Sequence, residues 1–160
     1  MIENLEPKAV WSIFEEITKV PRPSKHEELI RSWLVEFAKK HSLEYKEDSI
    51  GNVVIRKAAT PGMESLPTVV LQSHMDMVCE KNSDVEFDFS KDPIQAVAEN
   101  GWVHAVGTTL GADCGIGMAA ALAVLVSAEV RHGAVEALFT VDEETALKRY
   151  RKLARIICDD

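Results

Sequence analysis

The chain has 160 residues, of which 46% are hydrophobic and 28% are charged, and its formal net charge is −8. These values are typical of one soluble domain and exclude a disordered or collagen-like chain. No apolar run reaches the ~18 residues that a membrane span needs, no secretory signal opens the sequence, and the negative charge disfavours nucleic acid as a partner. Three widely spaced cysteines predict free thiols in a reducing cytoplasm, without a disulfide framework or a CxxC zinc site.

The first half of the chain predicts two helices followed by short strands. Apolar residues at helical spacing predict a helix over residues 8–19. The segment Ser24–Glu27 is a capping box, in which the serine and glutamate side chains bond backbone N–H groups, so a second helix should begin there and run to about His41. Residues 53–55 and 68–71 are β-branched apolar runs that predict strands, the second of them buried.

The second half continues the alternation of strands and helices. Five of the eight glycines lie within residues 101–117, around a predicted strand at 102–106. An alanine-rich helix is predicted over 116–130, with Gly133 placed for a left-handed cap at its carboxyl end. Residues 134–141 form a further predicted strand. Strands that alternate with helices predict an α/β domain whose sheet is covered by helices.

The first candidate site directly follows the strand predicted at 68–71. His74 and Asp76 are two positions apart, so in an extended segment both side chains face the same side. Ligands of α/β sheets collect beyond the carboxyl ends of strands. Imidazole is a good zinc ligand, and a carboxylate commonly fixes its tautomer. A metal site is therefore one interpretation, and a polar turn is the other.

The second candidate is the glycine-rich loop at residues 107–117. It lacks the lysine of a P-loop, and Asp113 would direct a negative charge at any phosphate, so a phosphate-binding module is the weaker interpretation. Two interpretations of Asp113 stay open. It caps the helix that follows, or it bridges metal ions while the flanking glycines let the backbone approach them.

The third candidate is the run Asp142-Glu143-Glu144, directly after the last predicted strand. Adjacent carboxylates repel one another, which is tolerated where a cation or a proton is held. One glutamate can bind a metal while its neighbour takes a proton from water, and a solvated acidic loop is the alternative. Together with His74 and Asp113, this run makes a mixed nitrogen and oxygen donor set that suits zinc, manganese or cobalt.

Three segments carry a resemblance to a known family: SHMDMV at 73–78, GTTLGADCGIGMAAALAVL at 107–125 and LFTVDEET at 138–145. Over residues 1–145 the chain resembles the dipeptidases of zinc-peptidase family M20. The resemblance implies part of an α/β zinc-peptidase catalytic domain, with a mixed sheet flanked by helices. It also implies hydrolysis of small peptide substrates with two zinc ions, or with manganese or cobalt in their place.

The resemblance assigns a role to each candidate residue. His74 binds one metal ion, and Asp76 orients His74. Asp113 bridges both ions, and Glu144 binds the other. Glu143 is the general base, which takes the proton of a water molecule bound between the ions, and Asp76 and Glu143 are therefore the residues with catalytic roles.

Two departures from the family pattern modify these expectations. Cys114 stands where an asparagine is usual, and its thiol is a weak hydrogen-bond partner that could serve as a soft metal ligand or an oxidation site. Residues 146–160 carry a net charge of +3, against −11 for the rest, and have no counterpart in the family. We expect this basic tail to replace the carboxyl-terminal strands and the lid and dimerisation domain, which leaves the oligomeric state open.

The expected loss of the second half has consequences for activity. A site with one ligand missing per metal ion should hold metal weakly, because zinc sites need about three protein ligands. We therefore expect little or no dipeptidase activity from these residues alone, and an exposed apolar sheet edge. The alternative to an impaired enzyme is a non-catalytic segment that binds metal weakly or pairs with another chain.

Overall fold

The structure, a computed structural model, describes residues 2–145. The helices are α1 (Lys8–Thr18), α2 (Glu28–Lys40) and α3 (Ala112–Val126), preceded by a 3-10 helix at Ile2–Asn4. The strands are β1 (Glu44–Glu47), β2 (Val53–Lys57), β3 (Val69–His74), β4 (Ala96–Glu99), β5 (Trp102–Ala105) and β6 (Val135–Thr140). The basic tail predicted at 146–160 lies outside the described residues.

Four strands form a mixed sheet in the order β1-β2-β6-β3, and β4 and β5 form a separate hairpin. Strand β6 pairs antiparallel with β2 and parallel with β3. In the parallel pair Val69 lies opposite Val135 and His74 lies opposite Thr140, so both strands end at the same edge of the sheet. The predicted α/β fold, with a mixed sheet and flanking helices, is confirmed.

Strand β6 lies at the centre of the core. All six of its residues are buried, and Phe139 is completely enclosed. Helix α3 packs on β3 and β6, and α1 packs on α3. Phe14, Leu34 and Leu122, one from each helix, are buried in the same cluster. Burial of each such side chain contributes about 1.5–3 kcal/mol to the free energy of unfolding. The core therefore stabilises the strand ends that carry the candidate site.

Strand β3 is only half buried, so the prediction of a buried strand at 68–71 is wrong for its first residues. Val69 is 50% exposed, and Val70 is exposed as well. The burial is confined to Ser73 and His74 at the carboxyl end. Within the described residues β3 is an edge strand, which pairs on one side only. Its apolar residues are therefore not all buried. Both valines are exposed at this edge of the described sheet.

Helix α3 ends four residues earlier than the sequence predicts, and the expected cap at Gly133 is wrong. At its start a kink at Asp113 and Cys114, whose φ/ψ values are not helical, precedes the regular helix. The helix ends at Val126, because the hydroxyl of Ser127 accepts hydrogen bonds from the N–H groups of Glu129 and Val130 and starts a turn. Although α3 is strongly apolar, no helix within residues 2–145 is long and apolar enough to cross a membrane.

Candidate metal centre

Three chain segments meet beyond the carboxyl ends of β3 and β6. His74 is the last residue of β3, and Glu143 and Glu144 follow β6 after a bend at Asp142, whose φ is +57°. Asp113 lies in the first turn of α3, which packs against both strands. Parallel pairing of β3 with β6, joined by the crossover through α3, thus brings the predicted metal-binding residues to one edge of the sheet.

The imidazole of His74 is the centre of this cluster. Its Nδ1 atom lies 3.1 Å from the carbonyl oxygen of Asp76 and 3.3 Å from the Oδ1 atom of the same residue. Its Nε2 atom lies 3.1 Å from Asp113 Oδ1 and 3.9 Å from Glu143 Oε2. An Nδ1–H that donates to Asp76 leaves Nε2, among the carboxylates, as the ring atom that can bind a metal.

Asp76 is completely buried, and its carboxylate holds the site together. Its Oδ1 atom accepts a hydrogen bond from the backbone N–H of Glu143 at 3.1 Å. Its Oδ2 atom accepts one from the backbone N–H of Glu144 at 3.0 Å and one from the hydroxyl of Ser24 at 2.7 Å. With the contact to His74, these partners offset the cost of burying a charge. One side chain therefore positions the imidazole and both glutamates.

The same contacts shift the pKa values of the site residues. Burial lowers the pKa of His74, but its hydrogen bonds to Asp76 and Asp113 outweigh burial and raise this pKa to about 9. Burial raises the pKa of Asp76, yet the hydrogen bonds from His74, Ser24 and the glutamate N–H groups hold it well below its usual range. Burial, followed by the neighbouring carboxylates, raises the pKa of Glu144. A cation at Nε2 would replace the imidazole proton and reduce the repulsion among the carboxylates.

The loop between α1 and α2 supports the site in a way that the sequence does not predict. The predicted capping box is wrong, because α2 begins at Glu28 and no side chain caps it. The hydroxyl of Ser24 donates to Asp76 instead, and Glu27 Oε1 accepts the N–H of Asp142 at 2.9 Å. A buried carboxylate is the stronger acceptor for the hydroxyl. Both side chains therefore anchor the segments that follow β3 and β6.

Arg22 is a second supporting residue that no motif indicates. Its side chain is buried, with 2% of the residue exposed, and it donates hydrogen bonds to the carbonyl oxygens of Met75, Asp76 and Gly111. Burial lowers its pKa to about 10, against the attraction of Asp76. Gly111 has a φ of +66°, and a Cβ there would overlap the guanidinium, so this position requires glycine. Arg22 thereby ties the segment after β3 to the start of α3.

Two groups of side chains have donor atoms close enough to hold a cation, and both include His74. One group adds Asp113 and Cys114, and the other adds Glu143 and Glu144; the donor atoms of each group lie within 4.8 Å of one another. The Asp113 side chain is 88% exposed, so a cation can approach it from solvent. Imidazole nitrogen combined with carboxylate oxygen is a donor set for divalent transition metals. The residues present therefore fit a divalent metal ion bound at His74.

The other interpretations of these motifs agree less well with the geometry. The Asp113 carboxylate contacts His74, and this contact favours the metal-binding interpretation of Asp113 over the helix cap. That carboxylate lies at the helix start, where a phosphate would have to bind, which disfavours a phosphate site. His74 and Asp76 are buried, and this excludes a solvated polar turn.

Comparison with known proteins identifies the family. Residues 70–154 match the profile of Peptidase family M20/M25/M40, which is more than half of the chain. The chain belongs to this peptidase family. Its α/β fold matches part of the catalytic domain of these peptidases.

Individual relatives show how much of such a protein the chain represents. Cytosol non-specific dipeptidase of Escherichia coli (strain K12) is 49% identical over 146 residues, which are 91% of this chain and 30% of that protein. The structure of aminoacylhistidine dipeptidase from Vibrio alginolyticus matches with a TM-score of 0.90 and 49% identity, over 92% of this chain and 30% of that one. The chain therefore spans about 30% of the length of these relatives.

A more distant structure shares the fold alone. It is the Bacillus subtilis YXEP protein, described as a dinuclear metal-binding peptidase of the M20 family. It matches with a TM-score of 0.51 and 15% identity, over 84% of this chain and 35% of that chain.

Proposed function

We propose that this chain carries the part of a metal-dependent dipeptidase that holds metal-binding groups and the general base. The observation that carries the proposal is the contact of His74 Nε2 with Asp113, beside Glu143 and supported by the buried Asp76. The identity of 49% to the E. coli dipeptidase supports it. On the basis of that relative's name, we propose small peptides as the substrates of this chain and the cytosol as its location.

In this proposal the metal ions are shared among three side chains. His74 and Asp113 would hold one ion, and Asp113 and Glu144 would hold the other, with zinc as the expected metal and manganese or cobalt as substitutes. A bound divalent ion supplies Lewis acidity, which lowers the pKa of water and polarises a carbonyl group. Asp76 is completely buried and acts as a positioning residue, because it fixes the Nδ1 side of His74 and both glutamate N–H groups.

Glu143 is the general base in this proposal. Its carboxylate lies 3.9 Å from His74 Nε2, next to the proposed ligands, while its backbone N–H is held by Asp76. A carboxylate in that position accepts the proton of the attacking water and returns it to the leaving amine. The backbone anchor matters because the efficiency of proton transfer depends on the position of the base.

Metal binding without turnover is the second candidate function. The proposed ligands among the described residues give each ion two protein ligands, whereas zinc sites usually need about three. We therefore expect weak metal occupancy. We also expect the 160-residue chain to turn over dipeptides far more slowly than its full-length relatives.

The test is hydrolysis of a dipeptide that ends in histidine, with added zinc, by the unchanged chain and by two variants. Glu143→Gln should keep the metal and lower residual turnover by about 10²–10⁴-fold, and His74→Ala should lose the metal. Zinc binding by the unchanged chain with no turnover favours the second candidate. Turnover equal to that of the E. coli dipeptidase contradicts the expected impairment, and turnover that Glu143→Gln leaves intact contradicts the assigned base.

A further inference from the structure

We propose that Cys114 is a third ligand of the ion held by His74 and Asp113, so that this chain carries a nitrogen, oxygen and sulfur site for soft divalent metals. The inference rests on the metal site proposed above and goes beyond it, because Cys114 has no role in the hydrolytic proposal. Three different donor types converge here: an imidazole nitrogen, a carboxylate oxygen and a thiol sulfur.

The distances among the donor atoms are short. The ligand atoms of His74, Asp113 and Cys114 lie within 4.8 Å of one another. Around one zinc ion, with bonds of about 2.0–2.3 Å, the ligand atoms lie roughly 3–4 Å apart. Closing the set on an ion therefore needs side-chain movements of about 1 Å, without displacement of β3 or α3.

The Cys114 sulfur lies in a confined space between α3 and β3. Burial raises the pKa of the Cys114 thiol, although the backbone N–H groups of His74 and Gly117 act to lower it. A Cβ on Gly117 would lie 2.7 Å from Cys114 Sγ and 3.6 Å from the Cβ of Ser73, so glycine makes room for the sulfur between α3 and β3. The hydroxyl of Ser73 is buried and has no hydrogen-bond partner among the described residues.

A thiolate ligand changes both the number and the type of donors. It raises the protein ligands of this ion from two to three, which is the usual number for zinc. On binding, the S–H bond breaks, the sulfur binds the metal and the proton leaves to solvent. Thiolate prefers soft ions such as zinc and cadmium over manganese and magnesium. The proposed selectivity is therefore for zinc and cadmium.

The experiment is a cadmium titration in which Cys114 is the single thiol. The chain has three cysteines, so Cys79→Ser and Cys158→Ser are combined as the background, and Cys114→Ser is added as the matched variant. Calorimetry measures cadmium affinity, and ultraviolet difference spectra detect the sulfur-to-cadmium charge-transfer band. We expect the band in the background and not in the variant. We also expect cadmium affinity to fall by at least about 10-fold, with a smaller change for manganese.

The outcomes separate this inference from the proposed function. Cadmium binding in the background without a charge-transfer band overturns the role of Cys114 and leaves the metal site standing, and this readout does not require the Cys114→Ser variant to fold. A band that persists in Cys114→Ser also overturns it. If neither cadmium nor zinc binds, or if His74→Ala does not weaken their binding, the proposed metal site is contradicted. The thiol ligand is then contradicted as well.

Discussion

Replacement of Asp76 by asparagine perturbs the most connected side chain of the site. The amide keeps the shape of the carboxylate but turns one oxygen into an NH₂ donor. In the carboxylate, Oδ1 serves His74 and the N–H of Glu143, and Oδ2 serves Ser24 and the N–H of Glu144. Whichever position the NH₂ group takes, the backbone N–H of one glutamate faces a donor and loses its acceptor.

The size of the effect follows from this geometry. A buried N–H without an acceptor costs about 1–3 kcal/mol, and loss of the charged contact to His74 adds about 1 kcal/mol. We expect Asp76→Asn to lower the free energy of unfolding by about 3 kcal/mol, which lowers Tm by about 6–12 °C for a domain of this size. Ser24→Ala is the matched control, because it removes one donor to the same carboxylate and should cost about 1 kcal/mol.

The assay is thermal and urea denaturation of the metal-free chain at neutral pH, followed by circular dichroism. The Asp76 carboxylate is the proposed link between the segments after β3 and β6, so the asparagine variant should lose clearly more stability than Ser24→Ala. A value for Asp76→Asn within about 0.5 kcal/mol of the unchanged chain would refute this reasoning, since that is the size of an ordinary surface substitution.

Three further predictions use the same denaturation experiment. The pKa of His74 is raised from 6.5 to about 9. The contribution of the charged imidazole to the free energy of unfolding is therefore full below pH 6.5 and is lost as pH rises through 9. The free energy of unfolding of the metal-free chain should then fall by up to about 1.4 kcal/mol per pH unit in this window, and a profile that His74→Ala leaves unchanged contradicts the cause. Arg22→Lys should lower the free energy of unfolding by about 2–4 kcal/mol, because an ammonium group cannot bond three carbonyl oxygens as the planar guanidinium does. An unchanged free energy of unfolding would show that the guanidinium is dispensable. Val69→Lys should change stability by less than about 0.5 kcal/mol and reduce aggregation in light scattering, whereas increased aggregation would contradict the role of the β3 edge.

The secondary structure is predictable where apolar pattern and burial coincide. The helix predicted over 8–19 is observed at Lys8–Thr18, and the strand predicted over 134–141 is observed at Val135–Thr140. Both elements pack in the core, so their apolar residues follow the spacing from which a helix or a strand is predicted. Strand β1 is not predictable in this way, because its four residues are polar and exposed. It becomes a strand through pairing with β2, which no local pattern records.

The candidate metal-binding residues are easier to predict than the residues that support them. His74 and Glu144 stand in short motifs at strand ends, where spacing along the chain reflects spacing in the fold. Ser24 bonds Asp76 across 52 positions of sequence, and Arg22 reaches Met75 across 53. A serine before a helix has a sufficient local explanation as a cap, so its long-range partner becomes visible only in the folded chain.

Zinc titration calorimetry on the 160-residue chain and on His74→Ala is the most direct test of the proposed metal centre, with Glu143→Gln as the control. Because His74 belongs to both groups of donor residues, we predict that His74→Ala lowers zinc affinity by at least about 10-fold. Glu143→Gln should bind zinc with nearly the affinity of the unchanged chain, since Glu143 is the proposed base and not a ligand. Equal zinc affinity in the unchanged chain and in His74→Ala would contradict the assignment of the metal centre.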